Sequence, residues 1–257
     1  MIKIFRKIRQ NLLTENKFSK YLIYAIGEII LVVIGILIAL AINNNNEESK
    51  TRIKEIKFLT GIKSDLNLNL IELKNYTSTR ETSVNSAKTI LDIFNNKKEL
   101  ISDEFNFHSL NIQIWSPFKR NNKTYQELIN SGNLAIISND SIKNLLLNME
   151  LSFKQIEFRE SHMYNDFENY MFPIYFSTAD LESDISNYNY QVSKGTQGDT
   201  TELSKEKIEL LLKNQTFKNA FVLSLFNNNL VIDEYKKMKD ITEKLLDIIN
   251  SEIAKNK

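Results

Sequence analysis

Residues Tyr21–Ile42 read YLIYAIGEIILVVIGILIALAI, and no other stretch constrains the chain as tightly. As a helix the run rises about 33 Å, against a bilayer hydrocarbon core of about 30 Å. Water alone does not solvate such a surface, so the run needs a bilayer or a protein cover. One charge, Glu28, stands inside it. The uncharged remainder, Ile29–Ile42, covers only about 21 Å. Glu28 therefore lies near the inner boundary, or is satisfied within the membrane.

The flanks give the run a direction. Lys3, Arg6, Lys7, Arg9, Lys17 and Lys20 precede it and oppose a single acid, Glu15. The positive-inside rule then puts the N-terminus in the cytoplasm and the chain after Ile42 outside, in the periplasm of a Gram-negative cell. Lys50, Arg52, Lys54 and Lys57 weaken this asymmetry, but they follow the acids Glu47 and Glu48. Met1, Ile4, Phe5, Ile8 and Leu12 share one helical face, so residues 1–20 read as an interfacial helix on an anionic leaflet or as a plain basic flank. Ala39-Leu40-Ala41 has the form of a signal-peptidase site. The long segment before the apolar run, and the length of the run itself, favour a retained anchor: a single-pass protein of the inner membrane.

Glu28, Gly35 and Ala39 form the candidate site. With Ile42 they fall on one helical face, and Gly35-x-x-x-Ala39 is a small-xxx-small pattern that admits a second helix closely. The reading is a packing face, for another membrane protein or a second copy of the chain. The alternative is a proton or ion relay through Glu28, as in an ion-driven transducer subunit. No second acid or base stands in the span, which favours packing.

The run KIFRKIRQNLLTENKFSKYLIYAIGEIILVVIGILIALAINNNNEESK resembles the opening of an uncharacterised family of Bacteroidota single-span membrane proteins. The resemblance is dense over residues 3–50 and looser at Thr124–Ser138, TYQELINSGNLAIIS. It implies a retained anchor and an extracytoplasmic helical domain, and it implies no activity. The chain departs from the family at Asn45, where Trp is usual, and at Ala41, where Gln is frequent. The second departure makes the A-x-A motif incidental.

Roughly 210 residues remain after the anchor, enough for one core. They contain few chain breakers: the whole sequence has 6 Gly and 2 Pro. A β-sandwich needs a turn every 8–12 residues or so, and the expectation is an all-α protein: one N-terminal transmembrane helix plus an extracytoplasmic helical bundle. Its divisions are a basic segment 1–20, the span 21–42 and a helical domain 43–257. Asn43–Asn46 reads as a polar break. Ile56, Leu59, Leu66, Leu70 and Leu73 predict an amphipathic helix, continuous with the span and coiled-coil-like or packed as core. A second helix is expected after caps at Thr77–Glu81, ending near Asn95. Leu100–Trp115 shows no period; Trp115 reads as a packing residue, with a ligand platform as the alternative. Gly132 is placed as a left-handed helix end, and Ser138, Asn139 or Asp140 as the cap of a long helix towards Tyr170. A mobile loop is expected over about 177–204. Ser204 caps a short helix. Thr216 caps a final one, whose row Phe217, Phe221, Val231, Tyr235, Met238, Leu245, Ile249 and Ile253 suits antiparallel packing against Ile56–Leu73.

No chemistry is legible. The chain lacks Cys, which removes disulfides, thiolate zinc sites and a thiol nucleophile. Only His108 and His162 are present, and no phosphate-binding, nucleophile-elbow or zinc-protease motif occurs. Glu157, Glu160, Asp166 and Glu168 around His162 read as a solvated helix face, because Arg159 breaks the Glu-x-x-His pattern of di-metal bundles. Asp180, Glu182 and Asp184 lack calcium-loop spacing. A net charge of +1 gives no case for nucleic acid. The expectation is no catalytic residue, no cofactor and no metal. The function classes in play are an envelope scaffold or adaptor, a ligand-binding sensory domain acting through a partner, and the transducer subunit.

Overall fold

The computed structural model describes residues 18–114, 116–200 and 202–255, with side chains from Leu22 onward. The first 17 residues of the expected interfacial segment, Trp115 and the side chain of Lys20 lie outside the described residues. Among the described residues every regular element is helical. Ten segments follow one another: α1 Phe18–Phe94, α2 Ser102–Asn111, α3 Lys123–Asn130, a 3-10 turn Asn133–Ile136, α4 Asp140–Asp166, a π segment Phe167–Met171, α5 Phe172–Thr178, α6 Leu181–Val192, α7 Lys205–Leu212 and α8 Gln215–Ala254. Two units divide the chain, Met1–Lys57 and Phe58–Lys257.

In the first unit, α1 exposes an almost unbroken apolar surface; Ile23, Leu31 and Ile42 are 72%, 64% and 66% exposed. None of its most apolar window is covered by protein, and the segment is a candidate membrane span. Asn43–Asn46 does not break the helix. Four residues of weak propensity cost about 0.5 kcal/mol each, too little to interrupt a helix continued by Glu, Lys and Arg on the far side. Within that stretch Lys50 pairs with Glu47 at 2.8 Å and Arg52 pairs with Glu55.

In the second unit, α4 and α8 pack antiparallel along their lengths. Asn139 just before α4 meets Glu252, Arg159 meets Glu234 and Asp166 meets Asn227, in reversed order along α8. The α1 residues of this unit also run antiparallel to α8: Tyr76 lies 6.3 Å from Tyr235 ring to ring, and Lys218 donates to Asn95. The α8 row expected to face inward is buried from Phe217 to Ile249, while Ile253 is half-buried. Leu59, Leu66 and Leu73 of α1 are buried with it. Beyond them, Ile90, Phe105, Met171, Tyr175, Phe217 and Phe221 form an aromatic-rich core, in which Tyr175 stacks on Phe217 at 6.1 Å.

Several expectations are corrected. Thr77–Glu81 does not separate two helices; α1 runs through it, with the Thr79 hydroxyl donating back to the Asn75 carbonyl instead of capping and Arg80 buried on the core side. Leu100–Trp115 contains α2, whose buried set of Phe105, Asn106, Ser109 and Leu110 mixes polar and apolar residues. The stretch 177–204 is not simply a loop, since α6 occupies Leu181–Val192. Thr216 is not the cap of α8; Asn214 is, accepting from Phe217 N at 3.0 Å. Other local expectations hold. Gly132 has φ 69°, Asn139 caps α4 through Ser141 N and Ile142 N, and Ser204 caps α7.

Candidate functional site

The three residues singled out in the span sit as the helical spacing requires, on one continuous helix. Glu28 is half-buried and Ala39 is exposed. A Cβ built on Gly35 meets nothing within 4 Å. The Gly35–Ala39 groove is therefore open to an incoming helix, and the structure brings no other part of the described chain to it.

A different residue organises the second unit. Glu160, expected on a solvated face, is 2% exposed, and so is Arg80 of α1. Arg80 Nη2 donates to Glu160 Oε1 at 3.0 Å and to the Ser116 carbonyl at 3.3 Å. Tyr235 of α8 donates its hydroxyl to the same Oε1. The Phe118 N–H donates to Glu160 Oε2 at 3.0 Å and to Oε1 at 3.3 Å. Burial pushes the Tyr235 phenol far above its ordinary range, with Arg80 pulling it down and Glu160 pushing it up, so it remains a donor. One carboxylate thus ties α1, α4, α8 and the 116–118 backbone together. Arg80 carried no sequence signal of its own.

Two members of this pin, Glu160 and Phe118, line a cleft of about 760 Å³ between α4 and the chain leading into α3. Phe118 and Glu160 are its buried elements, Phe153 and Phe172 its half-buried walls, and Lys119, Glu157 and Tyr164 its exposed edge. Arg120 also lines it, but its charge is spent: the guanidinium grips Glu150 with two bonds, 2.6 and 2.8 Å, and lies 4.0 Å over the Phe153 ring. Such a bidentate, stacked Arg is held rigidly.

The remaining candidates scatter. His162 approaches Asp166 at 3.8 Å and is exposed, while Asp166 also accepts from Asn227. Asp180 pairs with Lys207 at 3.1 Å. Asp184 instead accepts the Tyr175 hydroxyl at 2.8 Å, and burial holds its carboxyl above the usual range while that bond pulls it down. His108 contacts Ser86 at 3.0 Å, and burial keeps its imidazole below the ordinary value against the pull of Glu104. Among the described residues no three His, Asp or Glu side chains converge to hold a metal ion.

A family model described as "Family of unknown function (DUF6090)" matches residues 28–171. The matched stretch begins at Glu28 and takes in Gly35, Ala39, Arg80, Glu160 and all of the residues that line the cleft except Phe172. No curated protein and no solved structure matches the chain.

Proposed function

The chain belongs to the DUF6090 family, whose function is unknown, and we propose that it works as a membrane-anchored, non-enzymatic scaffold or adaptor of the cell envelope. The observation that carries this reading is the apolar surface of α1. About twenty residues of an otherwise well-packed chain have no protein cover, and a lipid bilayer supplies it. The N-terminus is cytoplasmic and the helical domain extracytoplasmic, by the excess of Lys and Arg before the span. The polar clusters of the second unit support a structural role. Arg80 and Tyr235 are spent on Glu160, Asp184 on Tyr175 and Arg120 on Glu150.

The partner is a second transmembrane helix, from a polytopic membrane protein or a second copy, seated against Gly35 and Ala39 with Glu28 at its edge. Close approach over small residues and one satisfied polar contact are what hold helices together in lipid. Crosslinking in native membranes, followed by capture of the full chain, tests this. The wild type is expected to bring down a membrane protein or itself, and Gly35→Leu to lose it by filling the groove. Retention by Gly35→Leu would defeat the proposal. Glu28→Gln separates two roles: partner capture kept but function lost in cells points to ion relay, and capture lost points to docking.

A second reading has one observation in its favour. The cleft above Glu160 has the size of a small-molecule site, about 300–1,000 Å³ in general. A ligand-binding domain that signals through the partner would use it.

A further inference from the structure

We propose that the cleft between α4 and residues 116–122 binds a short zwitterionic peptide with an apolar side chain. The inference rests on the ligand-binding reading and names the ligand class. Three features carry it, each from a different depth.

At the floor, Glu160 is nine-tenths buried and more, yet its two oxygens are unequally used. Oε1 accepts from Arg80, Tyr235 and Phe118 N, whereas Oε2 accepts only from Phe118 N. A carboxylate oxygen has about two acceptor sites, so Oε2 has capacity for one more bond, and Glu160 is among the residues that line the cleft. Arg80 already balances the charge of Glu160. The floor therefore asks for a hydrogen-bond donor and not for a full positive charge, which is what a peptide N–H offers.

The walls are aromatic. Phe153 and Phe172 are half-buried at the sides of the cleft, with Arg120 4.0 Å over the Phe153 ring, and Phe118 is buried behind them. An apolar side chain gains by leaving water there.

At the edge, Lys119 and Glu157 are exposed, opposite in charge and, among the described residues, without ion pairs. One cation and one anion at the edge of an apolar trough match a ligand that carries both a carboxylate and an ammonium. A polyanion such as a nucleotide would meet one lysine against an acid. A free amino acid has both charges but no internal amide for Glu160. A peptide of two or three residues has all three groups and spans roughly 7–10 Å.

The test uses the full chain in lipid nanodiscs and isothermal titration with the peptides Leu-Phe, Phe-Leu and Ala-Phe-Ala. Saturable binding is expected, weakened by about tenfold in Lys119→Gln, in Glu157→Gln and for the same peptides blocked at both ends, as for loss of a charged hydrogen bond. Both substitutions are at exposed positions, and the unliganded melting temperature is expected to stay unchanged. Equal binding by the two variants, or by blocked peptides, overturns the proposal. A panel of amines, carboxylates and nucleosides in a thermal-shift assay distinguishes the levels. If another class raises the melting temperature in a Glu157-dependent way and peptides do not bind, the peptide assignment fails and the ligand reading stands. If nothing binds, both fail.

Discussion

Glu160 shows how a single carboxylate can look solvated and be the opposite. Its neighbours Glu157, Ser161 and His162 are exposed, but it lies on the row of Ile156 and Met163, both buried. Desolvating a carboxylate and a guanidinium costs several kcal/mol per ion, and excellent geometry with further donors is needed to offset it. Tyr235 and Phe118 N supply those donors. The pair is thus costly to break but not intrinsically stabilising. Arg80→Met, which leaves Glu160 buried without its cation, is expected to destabilise the full chain by about 3–5 kcal/mol in denaturant titration in detergent. The double change Arg80→Met with Glu160→Leu is expected to recover most of that loss. A single variant as stable as the wild type would mean that water reaches the carboxylate and that the pin is not load-carrying.

Helix contacts make a parallel case at the next scale. Gly61 of α1 faces Thr124 at the start of α3, and a Cβ built there would lie 2.6 Å from Thr124 Cγ2 and 2.9 Å from its Oγ1. Asp65 of α1 accepts from Thr124 N at 2.8 Å, which prevents α3 from backing away. Ala is better than Gly inside a helix by about 1 kcal/mol, yet overpacking costs about 1–3 kcal/mol, and the contact is with a short branched side chain that cannot swing aside. Gly61→Ala is expected to lower the melting temperature, and adding Thr124→Ala to restore it; a stabilised single variant would show that α3 shifts freely. The same elements show what was readable in advance. Regular apolar spacing exposed α4, α8 and much of α1, and local chain chemistry exposed Gly132, Asn139 and Ser204. The helices that hydrophobic spacing does not show bury polar side chains: Asn106 and Ser109 in α2, Asn187 in α6, and Arg80 inside the Thr77–Glu81 stretch through which α1 continues. Asn106 Nδ2 donates to Asn187 Oδ1 at 3.1 Å and to the Asp184 carbonyl at 2.8 Å, so α2 and α6 hold each other by amides. Hydrophobic periodicity is blind to such packing. The cleft was invisible for a related reason: its residues come from separate elements, and only folding brings Lys119 and Glu157 to one edge.

For the whole molecule, the decisive question is which side of the membrane carries the second unit. Lys50, Arg52, Lys54 and Lys57 after the span are the main objection to a cytoplasmic N-terminus. The pairing of Lys50 with Glu47 and of Arg52 with Glu55 does not remove it, because orientation follows the count of Lys and Arg and not the net charge. The six cations before the span face one acid, and charge bias over short flanks sets orientation. The chain has no Cys, so a single introduced cysteine reports its own side without background. Lys244 is exposed near the end of α8. Lys244→Cys is expected to react with a membrane-impermeant maleimide in cells whose outer membrane alone is opened. Gln10→Cys, before the span, is expected to react only after the inner membrane is lysed. The reverse pattern would put the helical domain in the cytoplasm, and the cleft beside Glu160 would then meet cytoplasmic ligands. Reaction of both before lysis would mean that the apolar part of α1 lies against protein rather than across lipid, and the anchor itself would be wrong.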